Sequence, residues 1–306
     1  MTKYCIFSND VETTSIWLNK LSDETGWKVY REGMPLLLDI YEKYGIKSTF
    51  FFTGYIAKLI PDIIKMIQNR GHEVASHGLS HLKENGFDVM PFAKQKIHLL
   101  ESKKILEDIS GEEVISFRAP ALRVNNDTAS ALIETGYKID SSVASQRFDM
   151  FMSFGGLKKL NWITAHRLPY HTSEKSIFKK GDSPLVEVPL SALIIPYIGT
   201  TMRIFPNITN IQKRILALES NFFEKPIVFD IHPNELIDES HIIRSIENRS
   251  SNPVSYFLQD FLRAKLKSKN LGIAAIPLFE NQIKYFRDKN FEFVTLKTYC
   301  EETKLI

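Results

Sequence analysis

Residues 44–54, YGIKSTFFFTG, carry the reading on which the fold turns. Gly45 closes a helix-patterned run from Pro35 to Tyr44, in which Leu37, Ile40, Tyr41 and Tyr44 share one face. Ser48 to Phe52 follows as a compact apolar strand. Pro61 then opens a second helix carrying Ile63, Ile64 and Ile67, and Gly71 closes it. Helices and strands alternating across short connections predict parallel strands joined by right-handed crossovers.

The alternation extends both ways. Tyr4 to Ser8 reads as a first strand. Downstream come a strand from Glu73 to Ala75, a helix from Pro91 to Ile109 and a strand from Val114 to Phe117. Asn126 or Asp127 caps a further helix that ends at Gly136, before a strand from Tyr137 to Asp140. Later strands are expected at Leu185 to Val188, Ile227 to Ile231 and Phe291 to Leu296. About seven or eight such units favour an α/β barrel over an open sheet. The stretch 142–183 holds Gly155-Gly156 and several aromatic residues without periodicity, and reads as an insertion that shapes a cleft. A domain prior of about 150 residues would allow two units, but barrels exceed it routinely. The 306 residues are therefore read as one domain, 1–306.

Composition excludes several classes. Hydrophobic residues make up 43% and charged residues 25%, the balance of an ordinary globular protein. Lys plus Arg (39) less Asp plus Glu (36) leaves +3, too little for a nucleic-acid surface. Cys5 and Cys300 are too few for a disulfide framework or a cysteine zinc site. No stretch reaches the roughly 18 apolar residues of a membrane span. MTKYCIFSND has no basic start, apolar core and cleavage site, so a cytoplasmic location is expected.

Four segments carry candidate chemistry. Asp10-Val11-Glu12 follows the first strand, and residues i and i+2 of an extended chain face one side. His77 and His81 are four apart, a spacing that on a helix turns two imidazoles toward one divalent ion. Arg118, after the apolar run VISF, offers a guanidinium that can hold a carboxylate ionised through a bidentate pair. In FDIHP, Pro233 stops a strand and leaves His232 at its C-terminal edge, where barrel active sites form. Asp230 lies on the same strand face and can orient or tune His232. Each has a bland alternative: turn acids, loop histidines, a solvated arginine, a buried structural pair. Their co-occurrence near strand C-termini is hard to explain by packing. His72-Glu73 with His77 is not the HExxH zinc-protease motif, because the second His falls five residues after the first.

With these segments in place, the chain resembles the polysaccharide deacetylase family, the NodB-homology carbohydrate esterases. The likeness runs in order through YGIKSTFFFTG, GHEVASHGLSH, FRAPALRVNND, GYKIDSS, LVEVPLSA and PIVFDIHPNEL, with MRIFP and FEFVTL beside them. It implies a distorted (β/α)₇ barrel and metal-dependent removal of acetyl groups from sugars. Much of the family carries Asp-Asp-Gly after the first strand, whereas this chain has Asn9-Asp10-Val11-Glu12 and is similar to an Asp-x-Glu branch. By that likeness Asp10 is the general base, and Glu12 joins His77 and His81 as metal ligand. Two alternatives stay open: Asp10 is itself a ligand, or Asn9 occupies the base position and the enzyme is impaired.

The implied mechanism uses a divalent ion, best Zn²⁺ for two imidazoles and a carboxylate. Asp10, held ionised by Arg118, takes the proton of attacking water, and His232 protonates the leaving nitrogen. The expected substrate is a nucleotide- or lipid-linked sugar or oligosaccharide, such as a lipopolysaccharide or capsule precursor. Trp162, Tyr170, His171 and Tyr197 are candidates to stack on sugar rings, with packing as their ordinary role. Two rivals are a cyclic-amide hydrolase of the allantoinase kind and a non-catalytic glycan-binding relative.

Overall fold

The computed structural model describes residues 2–147, 161–242 and 263–306. Seven parallel strands neighbour one another in the order Ile227–Asp230, Lys3–Val11, Thr49–Phe52, Glu73–Ser76, Ser116–Phe117, Ile139–Asp140 and Val186–Glu187. The two ends of this order meet. The Ser191 N–H donates to the Val228 carbonyl at 3.1 Å, the Val228 N–H donates to Ser191 Oγ at 3.0 Å, and Ile198 bridges Asp230. Closure through a few loop contacts instead of a full ladder makes this a distorted (β/α)₇ barrel, as expected. Phe291–Phe293 pairs with the start of Lys3–Val11, and the antiparallel hairpin Tyr170–Ser173 and Ser176–Lys180 borders Val186–Glu187. That hairpin lies in the expected insertion; Gly155-Gly156 falls outside the described residues.

Local sequence explains the elements. Met34–Tyr44 buries Leu37, Leu38, Ile40 and Tyr41, and Gly45 ends it at φ 67°, a left-handed conformation that suits a residue without Cβ. Asn126 holds the N-cap position of the helix Asp127–Glu134, as expected, but without a side-chain bond; Asn125 Oδ1 accepts the Asp127 N–H at 2.9 Å instead. Between strands and outer helices, Phe7 meets Phe229, Phe279 and Phe293 with ring centroids 5.4–5.6 Å apart. Cys5 and Cys300 are buried as free thiols. No helix among the described residues is long and apolar enough to cross a membrane.

One close approach fixes the loop after Ile227–Asp230. A Cβ on Gly33 would lie 2.3 Å from the Pro233 carbonyl oxygen, against backbone that cannot swing aside. Gly33→Ala is therefore expected to displace Pro233 and cost ~1–3 kcal/mol. A lowered urea midpoint checks this; an unchanged midpoint contradicts it.

Candidate active site

Alternation along Lys3–Val11 sorts its side chains between two environments. Asn9 turns to the helix layer, donating to Ser48 Oγ at 2.6 Å and accepting from the Tyr41 hydroxyl at 2.6 Å. Ser8 and Asp10 turn the other way, and both accept from Arg118. Asn9 is thus engaged on the far side of the strand from Asp10.

His77 and His81 come together differently from the helical spacing expected. The chain leaves Glu73–Ser76 and turns at Gly78 (φ 68°), so a loop, not a helix face, juxtaposes the two rings. His77 is fully buried, and its Nδ1 lies 2.8 Å from the Arg118 carbonyl. A carbonyl only accepts, so Nδ1 carries the proton and Nε2 keeps its lone pair. Burial, with His81 beside it, lowers the His77 pKa to about 4, so the ring is neutral. Its Nε2 stands 3.1 Å from His81 Nε2 and 3.5 Å from Asp10 Oδ2, and Glu12 Oε2 lies 2.9 Å from His81 Nε2. Two nitrogens held tetrahedrally at 2.0–2.1 Å from one zinc sit about 3.3 Å apart, so the spacing and the donor types fit a divalent ion.

Arg118 organises the opposite wall. Its Nη1 donates to Asp10 Oδ1 at 3.0 Å, Asp230 Oδ1 at 2.8 Å and Ser8 Oγ at 2.8 Å, while Nε and Nη2 hold Ser141. The expected bidentate pair with one carboxylate is not formed. One nitrogen is shared between two carboxylates, because Ser141 takes the rest of the fork. Burial alone would raise Asp10, but His77 and Arg118 outweigh it and hold the carboxyl below its usual range. Asp230 goes the other way: burial and the adjacent Asp10 charge push it up. Among the described residues, the one group of three acids or histidines whose ligand atoms all lie within 4.8 Å of one another is Asp10, Asp230 and His232. Arg118 already bonds both of its carboxylates, so a second cation there would meet repulsion.

The His232 ring is held by two acids. Nδ1 lies 3.3 Å from Glu235 Oε1 and 3.7 Å from Asp230 Oδ2; only Glu235 is within hydrogen-bond reach. Burial opposes the charged ring, but Asp230, Glu235 and Asp10 together raise its pKa to about 10. Glu235, missed in the sequence, is itself gripped by Arg203. For a histidine raised from 6.5 to about 10, the charge contributes stability fully below pH 6.5 and loses it as pH rises through 10. The stability gap between the native chain and His232→Gln, both chelator-treated, is therefore expected to shrink from pH 6 to pH 10 in urea titrations. A gap that widens contradicts the pairing.

A cavity of about 340 Å³ opens onto Asp10, Glu12, His81, Arg118, Asp230 and His232. Ala121 and Leu122, both at left-handed φ (53° and 54°), line it as well. Non-glycine residues so strained persist only where the surroundings enforce them. The aromatic candidates do not reach this cavity. Trp162 and Tyr197 are wholly buried, Tyr197 donating to Gln282, and Tyr170 donates to the Ile177 carbonyl. His171 is half-buried against the Ser183 carbonyl.

A seven-stranded parallel barrel with an imidazole–carboxylate pocket at its strand C-termini defines the class. Residues 23–139 match the sequence profile of the family described as Polysaccharide deacetylase. A Peptidoglycan deacetylase of Helicobacter pylori is 30% identical over 146 residues, 45% of this chain and 49% of that protein. The chain thus spans about half the length of that curated relative. Among solved structures, a putative polysaccharide deacetylase from Mycobacterium smegmatis is 22% identical, over 76% of this chain and 77% of that one, with a TM-score of 0.57. Puue Allantoinase is 17% identical, over 96% and 88%, with a TM-score of 0.59. The two structures speak for the fold. The profile match over residues 23–139 and the curated relative make this part of the chain similar to the polysaccharide deacetylase family.

Proposed function

We propose that the chain is a metal-dependent hydrolase that removes N-linked acetyl groups from a sugar or surface-polysaccharide precursor. The convergence of His77 Nε2 with His81 Nε2, Glu12 and Asp10, the last three of which line one cavity, carries this reading. His77, His81 and Glu12 would hold the ion, with zinc the preferred metal. Such an ion supplies Lewis acidity to an acyl carbonyl and makes water more acidic.

The chain's own residues do the rest. Asp10 Oδ1 is tied to Arg118, which keeps the carboxyl ionised and leaves Oδ2 to accept the proton of attacking water. His232, charged at neutral pH, donates from Nε2 to the departing nitrogen, since an amide anion leaves poorly. Asp230 and Glu235 hold its ring. All these groups come from one sheet, so the 306 residues are read as a single catalytic domain.

The cavity wall supports a linked precursor over a bare glycan. Leu122, Ile195, Pro196 and Ile198 make it aliphatic, and Arg147 and Lys267 bring cations suited to a phosphate. A nucleotide- or lipid-linked sugar has both features, and we place the reaction in the cytoplasm, where such precursors are assembled. Acetate release from a panel of nucleotide sugars, lipid-linked glycans and peptidoglycan fragments, with added zinc and with chelator, tests the proposal. Zinc-dependent release is expected. Opening of allantoin without acetate release would transfer the site to cyclic amides, and sugar binding without turnover would make it a binding protein.

A further inference from the structure

The helix Pro206–Phe223 has an unusual division of its side chains for one on the outside of a barrel. Its inner face buries Leu216 and Ala217 together with the polar Thr209, Gln212, Lys213 and Ser220. Its outer face carries Ile208, Ile211, Ile215, Leu218 and Phe222, each 46–78% exposed. These five are spaced alternately three and four residues apart, the repeat of a coiled-coil seam. Phe205 and Phe223 extend the apolar surface at either end. Ile194, 68% exposed, sits at the tip of the hairpin whose Leu193 and Ile195 carbonyls accept from Gln212 Nε2.

We propose that this face pairs with the same face of a second copy of the chain, helix against helix and antiparallel, in a two-fold dimer. Three observations select that occupant. The eight apolar side chains present on the order of 800 Å² of surface, the area one partner buries in a standard-size interface and well above the patches monomers usually expose. The seam is self-complementary, as a two-fold contact requires: a reversed copy sets Ile215 against Leu218 and Ile211 against Phe222. Arg214 and Glu224 are the only charged residues among the exposed positions of 205–224, whereas a helix that lies on an anionic lipid surface carries a basic flank. None of the five seam residues lines the cavity, so this proposal does not depend on the hydrolase reading.

Sedimentation equilibrium of the full chain at micromolar concentration tests it. The native chain is expected at twice 35.2 kDa, and Ile211→Glu and Ile215→Glu at 35.2 kDa with unchanged far-UV circular dichroism. Both positions are exposed, so neither change threatens folding. A native chain that stays at 35.2 kDa, or variants that remain dimeric, overturn the proposal. A monomeric native chain that binds phosphatidylglycerol vesicles, with binding lost in Ile215→Glu, overturns it in favour of a membrane surface.

Discussion

Asp10→Asn is expected to fold normally, keep its divalent ion and lose about 10²–10⁴ of kcat in acetyl hydrolysis. The substitution preserves shape, and an amide oxygen can still accept from Arg118 Nη1 at the 3.0 Å contact. What disappears is the Oδ2 lone pair that, in the proposed reaction, would take the proton of water. Steady-state kinetics paired with elemental analysis separates the two roles still open for Asp10. Metal kept with kcat lost assigns the base. Metal lost together with kcat makes Asp10 a ligand, placed by its 3.5 Å approach to His77 Nε2. Full activity in the variant would send the search for a base elsewhere.

Arg118→Met is expected to be the most damaging single change, costing about 3–5 kcal/mol of stability and all measurable activity. The guanidinium is 1% exposed and is the shared donor to Asp10 and Asp230. Its removal leaves two buried carboxyls facing each other without a counter-charge, so neither can stay ionised cheaply. Burial already pushes Asp230 up, and loss of Arg118 would push Asp10 up too. Adding Asp230→Asn should therefore restore part of the stability without restoring activity. Urea titrations of both variants check this; if the double variant is no more stable than Arg118→Met, the electrostatic explanation fails.

Much of the fold was legible because its signals are local. Gly45 and Gly71 end helices at left-handed φ, and the apolar run before Thr53 is a strand whichever neighbours it finds. A closed barrel was expected, but the residues that close it were not legible, because Ser191 and Val228 meet across distant sequence and their residue types are ordinary. Asp10, Glu12, His81, Arg118, Asp230 and His232 line one pocket, with His77 buried directly behind His81, at positions after strands that suggested it. Their pairing was not readable. The sharing of one Arg118 nitrogen depends on Ser141 occupying the rest of the fork, and the His77–His81 approach depends on the turn at Gly78. Glu235 escaped notice because Pro-Asn-Glu-Leu reads as a polar loop; its burial depends on Arg203, from a helix 32 residues earlier in the chain.

Metal content measured by elemental analysis on the purified native chain, His81→Ala and Asp230→Asn is the most direct test of the pocket. About one divalent ion per chain is expected in the native protein and in Asp230→Asn, with less than about a tenth of that in His81→Ala. Retention of the ion by His81→Ala with its loss from Asp230→Asn would move the metal to the Asp10–Asp230–His232 group and contradict the site as drawn.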